Sequence, residues 1–330
     1  MRSKIVIAAA GVALLLAGGV GVVLHQHSYD MREERVTIGA LDGVLAKPDR
    51  VDGPVGLVVF VHGDGPVNAT HDGFYRPIWE AFARAGYASL SWNKPGVAGS
   101  AGNWLHQSME DRADEVTGAV EWARSRADID GHRIGLWGAS QAGWVMPKVA
   151  VRVPDLAFVI AVSPAVNWLE QGRYHLLARL HAEGASPAEI TAATERSDMM
   201  RRLLRAGATY GEYRRQPGAD ANITADRWTF LTKNHLADAT ADLTASRVPV
   251  LLLLGGRDIN VDVADTEAVY RKTTPILEVR RYPDATHSMI PHAVEDSTVR
   301  MTTTALFTPR SLFTDGFLAD QRQYLETRPA

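Results

Sequence analysis

The chain has 330 residues, 46% of them hydrophobic, with a formal net charge of −3 at neutral pH and no cysteine. That length suits one large α/β domain with an insertion. The charge balance gives no reason to invoke a nucleic-acid partner, and the lack of cysteine excludes disulfides, thiolate catalysis and a lipidated cysteine anchor.

In chain order, Arg2 and Lys4 precede residues 5–24, an unbroken run of apolar residues and glycine. At a rise of about 1.5 Å per residue such a run matches a hydrocarbon core of about 30 Å. Signal-peptide apolar regions are shorter, roughly 7–15 residues. No small-x-small cleavage site is evident near His25-Gln26-His27. Residues 1–27 therefore read as an uncleaved signal anchor, with a cleaved signal peptide and a secreted protein as the alternative. The positive N-terminus predicts a single-pass protein of the cell membrane whose remaining chain, 28–330, lies outside the cytoplasm.

A short polar linker leads to a hairpin over 36–39 and 41–47, then a buried strand at 57–61 and a helix near 74–85. The next strand is 87–92. Ser108, with Asp111 three residues on, marks a helix start. That helix runs to about Arg126, with Val116, Val120 and Trp122 as core candidates. Its charges, Glu110, Asp111, Arg112, Asp114 and Glu115, read as a solvated face. A strand at 133–137 leads into a helix over 142–151, which Pro147 kinks or shortens, and another strand follows at 156–162. Strands alternating with helices predict a mostly parallel, doubly wound α/β sheet covered on both faces.

Residues 167–243 break the pattern. Helices are expected at 168–182, 187–206 and 227–236, with Ser186 as a cap and Pro187 in the first turn. The insertion follows a core strand and reads as a helical cap over the rim of the sheet. Its aromatics, Trp168, Tyr174, Tyr210, Tyr213, Trp228 and Phe230, are candidates either for a substrate pocket or for packing within the cap. Strands at 248–254 and 276–282 follow, then an irregular threonine-rich stretch at 288–309 and a final helix near 313–325.

The chemistry centres on Ile134-Gly135-Leu136-Trp137-Gly138-Ala139-Ser140-Gln141-Ala142-Gly143. An apolar strand runs straight into a serine flanked by small residues, as a tight strand-to-helix turn requires if it is to expose a nucleophilic hydroxyl. An ordinary turn is the plain alternative. A nucleophile needs a base and an orienting acid. Asp258 ends the strand at 248–254, and His287 follows the strand at 276–282, in the order serine, acid, histidine. Asp258 could instead cap a turn, and His287 could be a loop histidine. Asp262 and Asp265 are rival carboxylates that read as the start of a helix. Glycines in His62-Gly63-Asp64-Gly65-Pro66 leave main-chain N–H groups free to hold an oxyanion. The expected donors are the N–H of Gln141 and that of Asp64, and a strand-ending turn is the simpler reading of this loop.

These stretches, together with Asn93-Lys94-Pro95-Gly96-Val97-Ala98-Gly99-Ser100 and Gly255-Gly256-Arg257-Asp258, resemble the α/β-hydrolase superfamily. The resemblance is to bacterial esterases and serine peptidases with a dienelactone-hydrolase or prolyl-oligopeptidase type of catalytic domain. It covers about 36–164 and 248–287 but not the insertion. Relatives commonly carry Asp-Lys-Arg-Gly where this chain has Asn93-Lys94-Pro95-Gly96, and glycine at the position of Ala142. The resemblance implies a serine hydrolase that cleaves carboxylic esters through an acyl-enzyme, with Ser140, His287 and Asp258 as its triad. The substrate is then a small ester or a short peptide. An aminopeptidase on the same triad is the alternative, and Glu170, Glu183 and Asp198 of the insertion are candidates to bind a substrate amine. An acyl-CoA thioesterase fits an extracytoplasmic site poorly, and a non-catalytic binding protein would be expected to lack a triad member. No metal or organic cofactor is expected, because no His-Glu-x-x-His or comparable ligand cluster occurs.

Overall fold

The fold comes from a computed structural model that describes residues 21–50 and 52–328. Most of the expected membrane segment, residues 5–24, lies outside the described residues. Residues 21–26 are helical, and no described helix is long and apolar enough to cross a membrane.

Eight strands form one sheet in the order β1-β2-β4-β3-β5-β6-β7-β8. They are β1 Met31–Ile38, β2 Leu41–Pro48, β3 Val55–Val61, β4 Tyr87–Trp92, β5 Ile129–Ala139, β6 Phe158–Val162, β7 Val250–Gly255 and β8 Leu277–Tyr282. β1 and β2 form an antiparallel hairpin, and β2 also meets β4 antiparallel. From β4 to β8 every pairing is parallel. β3, β4, β6 and β7 are buried throughout, which is why they read as continuous apolar runs. Their pleat feeds two cores. Leu57, Val59 and Val61 face one layer, while Val58 and Phe60 face the other. Helices Met109–Arg124, Met146–Arg152 and Val263–Thr273 contribute to the first core, and helices Arg76–Arg84 and Phe317–Glu326 to the second.

Parallel strands bring their C-terminal ends to one rim, where the connections to helices emerge. β5 ends there just before Ser140, β7 just before Asp258, and β8 shortly before His287. Between β6 and β7 lie five helices: Trp168–Ala182, Pro187–Arg205, Tyr210–Arg214, Ala225–Asn234 and Thr240–Ala245. Leu204, Tyr213, Trp228 and Leu231 form a small core of their own there.

Two expectations are corrected. The helix expected at 142–151 is divided: a 3₁₀ turn, Ser140–Trp144, carries the elbow, and the α-helix begins at Met146. Pro147 sits in the first turn, where its missing N–H costs nothing. The stretch 288–309, expected to be irregular, holds helices His292–Glu295 and Thr298–Phe307. Threonine is a poor helix former, but Met301 and Ala305 pack onto the core, and Thr303 Oγ1 donates back to the Val299 carbonyl at 2.8 Å. Tertiary packing outweighs propensity there.

Candidate active site

Ser140 has φ +56°, a left-handed conformation that is uncommon for a side-chain-bearing residue. The packing around it accounts for the small neighbours. A Cβ on Gly138 would lie 2.6 Å from the Ala142 Cβ and 2.9 Å from the Val61 carbonyl oxygen, and a Cβ on Gly143 would collide with the Ala165 backbone. The Ala142 methyl therefore fills the space that Gly138 leaves. The Ser140 carbonyl is fixed by the Ala165 N–H at 3.0 Å.

Asp258 serves two purposes at once. Its Oδ1 accepts the N–H groups of Asn260 (2.7 Å) and Val261 (2.9 Å), which orients the carboxylate, and its Oδ2 lies 2.8 Å from His287 Nδ1. Its side chain is fully buried, whereas 18% of the His287 side chain is exposed. A substrate can therefore reach the imidazole but not the acid. Asp262 caps helix Val263–Thr273 through the N–H groups of Ala264 and Asp265. The His287 loop is closed by the Thr286 N–H, which donates to the Ile290 carbonyl at 2.9 Å. Ser140, His287, Gly63 and Asp64 line one cavity of about 500 Å³. Among the described residues the Ser140 hydroxyl has no hydrogen-bond partner; in sites of this kind such hydrogen bonds often form only when a substrate binds.

The loop after β3 packs directly on the elbow. A Cβ on Gly63 would lie 3.3 Å from the Ala139 carbonyl oxygen. Lys94 Nζ donates to the carbonyls of Gly63 (2.5 Å) and Gly65 (2.9 Å) and lies 4.7 Å from the Trp104 ring centroid. In a trans peptide the C=O and N–H point in opposite directions. With the Gly63 carbonyl turned to Lys94, the Asp64 N–H points away from it. Burial, with Arg112 nearby, holds the Lys94 pKa well below that of an ordinary lysine.

Arg112 corrects the solvated-face expectation. It is buried, and it donates to Gln141 Oε1 (2.5 Å) and to the His62 carbonyl (2.5 Å). Burial lowers its pKa to about 10. Glu115 turns inward as well: burial raises its pKa, and it accepts from Gln107 Nε2 at 2.7 Å. The signal was present in the spacing, because Arg112 falls on the buried stripe of Met109, Ala113, Val116 and Val120.

The cavity walls come from Tyr75, Ile78, Met289, Met301, Phe313 and Phe317. None of the insertion aromatics borders it. Trp168 stacks on Trp144 at 4.8 Å, and Tyr213 stacks on Trp228 at 4.4 Å. Of the acidic candidates, Asp198 pairs with Arg173 and Glu183 with Arg179, and Glu170 does not border the cavity either. Glu295, which follows the His287 loop, is the carboxylate of helix His292–Glu295 that borders it.

Comparison with known proteins agrees with this architecture. Esterase EstD of Thermotoga maritima is 24% identical over 265 residues, 78% of this chain but 60% of EstD. The chain thus spans less than two thirds of that relative. An uncharacterized protein of Rickettsia prowazekii is 24% identical over 169 residues, covering 50% of this chain and 69% of its own length. Among solved structures, an esterase of Pyrococcus furiosus superposes with a TM-score of 0.56 at 15% identity, over 85% of this chain and 92% of that one. Est1E of Butyrivibrio proteoclasticus, solved with ferulic acid bound, gives 0.54 at 14% identity over 89% and 96%. A dienelactone hydrolase of Anabaena variabilis gives 0.50 at 17% identity over 90% and 96%. At these identities the structural matches establish the α/β-hydrolase fold. The sequence model of the serine aminopeptidase S33 family matches residues 52–292, so the chain belongs to this family.

Proposed function

We propose that the chain is a serine esterase working through an acyl-enzyme on Ser140. Ser140 Oγ attacks the ester carbonyl carbon, and its proton passes to His287 Nε2. Asp258 holds the opposite ring nitrogen and stabilises the imidazolium. The N–H groups of Gln141 and Asp64 hold the oxyanion, each worth about 3 kcal/mol in sites of this type. Collapse of the tetrahedral intermediate breaks the ester C–O bond, and His287 returns the proton to the leaving alkoxide. Water, deprotonated by His287, then attacks the acyl-enzyme and releases the acid. The observation that carries this reading is the 2.8 Å contact between His287 and the buried Asp258, on the cavity that Ser140 also lines. The test is labelling by a fluorophosphonate together with hydrolysis of p-nitrophenyl esters. Both should vanish in Ser140→Ala, with turnover down about 10⁴-fold or more. A well-folded wild type that stays unlabelled would point to a binding role instead.

An aminopeptidase on the same triad is the second reading. It is favoured by Glu295, an exposed carboxylate at the cavity with no ion-pair partner among the described residues, which could hold a substrate ammonium. Hydrolysis rates on p-nitrophenyl esters and on aminoacyl anilides separate the two.

For residues 5–24 the proposal is an uncleaved membrane anchor. The adjoining residues are tied to the domain: Arg310 donates to the carbonyls of Gln26 (2.7 Å) and Ser28 (2.8 Å), and His27 Nε2 lies 3.1 Å from the Leu306 carbonyl oxygen. Retention of the full chain in membranes after alkaline carbonate extraction is expected. Its release would favour the secreted alternative.

A further inference from the structure

The side chains of the two proposed oxyanion residues are bonded to each other. Gln141 Nε2 donates to Asp64 Oδ1 at 3.1 Å. A guanidinium holds each end of that bond. On the buried side, Arg112 donates to Gln141 Oε1 and to the His62 carbonyl, just ahead of the oxyanion loop. On the outer side, Arg227 of helix Ala225–Asn234 donates to both carboxylate oxygens of Asp64, at 3.1 and 2.9 Å. The Arg227 guanidinium is itself braced 5.0 Å from the Phe230 ring centroid and 6.0 Å from that of Trp104. Burial works to raise the Asp64 pKa, but the hydrogen bonds and charge of Arg227, helped by Lys94 and the Gly65 N–H, outweigh it and leave the carboxyl below its usual range. The Gln141 amide has one orientation that suits both neighbours, its oxygen toward Arg112 and its nitrogen toward Asp64.

We propose that the chain Arg112–Gln141–Asp64–Arg227 sets the spacing and aim of the two oxyanion donors, and that Arg227 is a positioning residue through which the helical insertion controls transition-state stabilisation. This rests on the reading of Ser140 as nucleophile and of the amides of residues 64 and 141 as donors. Charge-assisted bonds at both ends make the linkage stiff. An oxyanion donor acts only when aimed at the tetrahedral oxygen, so loosening the linkage affects the transition state more than the bound ester. Of the linkage only Asp64 borders the cavity, whose apolar walls come from other residues, so ground-state binding should largely survive its loss.

The test compares the full-chain enzyme with Arg227→Ala, Arg227→Lys and Asp64→Asn. In R227A, kcat on a p-nitrophenyl ester should fall about tenfold with KM within about twofold, since a positioning error of this kind costs one to two orders of magnitude. Inhibition by an arylboronic acid, which mimics the tetrahedral anion on serine, should weaken by a similar factor. Millimolar guanidinium should restore part of the R227A rate, and R227K should lie between R227A and wild type. A merely structural role would lower thermal stability without moving boronate affinity and without guanidinium rescue. D64N keeps the main-chain donor and an acceptor for Gln141 but loses the charge pair. It should show the same kcat loss on its own, and the double variant should be no worse than R227A, because both changes break one linkage. The inference is overturned if kcat and boronate affinity stay within twofold of wild type, or if KM alone rises. Should Ser140→Ala retain labelling by fluorophosphonate, the underlying catalytic reading fails. Should it be blank while R227A and D64N behave as wild type, only the positioning role fails.

Discussion

Ala142 and Gly138 share one small volume at the elbow, and their substitutions should therefore be coupled. Adding a methyl at Gly138 puts its Cβ 2.6 Å from that of Ala142 and 2.9 Å from both Met146 Sδ and the Val61 carbonyl oxygen. Gly138→Ala should destabilise the protein by about 1–3 kcal/mol, the usual cost of overpacking, and should lower kcat by shifting Ser140. Ala142→Gly removes a fully buried methyl and loosens the turn, at a cost of about 1 kcal/mol, with activity retained. In the double variant the two changes relieve each other, so the summed losses should exceed the measured one. Denaturant midpoints of the four proteins check this, and strict additivity would mean that the Val61 backbone, not the alanine methyl, limits the space. The same residues show why the departure from the usual elbow pattern is tolerated: the glycine demanded by close backbone approach is Gly143, against Ala165, one position after the one at which relatives commonly carry glycine.

Helix Thr298–Phe307 supplies part of the cavity wall through Met301, and no aromatic of the insertion borders that cavity, which makes this helix a place to test for selection of substrate size. Met301→Trp should cut kcat/KM for a p-nitrophenyl octanoate by about tenfold while leaving the acetate within about twofold, since a pocket distinguishes chain lengths by roughly 1–3 kcal/mol per methylene. Equal loss on both esters would mean that the acyl chain does not enter this cavity. How far such elements could be read beforehand follows from their physics. Strand Tyr87–Trp92 is a buried run bounded by a turn glycine and by Pro95, and helix Trp168–Ala182 starts at Asn167, whose side chain accepts the N–H groups of Leu169 and Glu170; local chemistry marks both. Ser108 and Asp111 form the expected capping box for the same reason. Helix Thr298–Phe307 also has a capping serine, Ser297, which accepts the Arg300 N–H, but its threonine-rich body hides it, and its stability comes from distant residues that Met301 and Ala305 touch. Ser140, Asp258 and His287 could be picked out from strand ends in parallel order. The apolar pocket could not, since Ile78, Met301 and Phe313 converge only through the tertiary fold.

Across the whole molecule, ion pairs join parts of the chain that are far apart in sequence, and one cluster makes stability depend on acid. Lys47 on β2 pairs with Glu34 on β1 (2.6 Å) and with Asp128 just ahead of β5 (3.0 Å), and Arg126 donates to both Asp128 oxygens at 2.8 and 2.9 Å. The Arg126 hydrogen bonds, and then Lys47, hold the Asp128 carboxyl far below the usual range against a smaller opposing effect of burial. Glu34 is lowered chiefly by its bond to Lys47. Because the folded-state pKa lies below the unfolded one, the stabilisation is fully present above the ordinary carboxylate range near pH 4 and is lost as pH falls toward the folded value. Asp128 keeps 40% of its side chain exposed, so solvent screening limits the pairing to about 0.5–1 kcal/mol. Asp128→Asn should therefore lower the unfolding free energy, read from denaturant curves, by that amount at pH 7, and the difference from wild type should shrink steadily as pH drops below about 4. A gap between the two proteins that persists unchanged at pH 2.5 would mean that the contribution of Asp128 to holding the β1–β2 hairpin against the sheet does not depend on its charge.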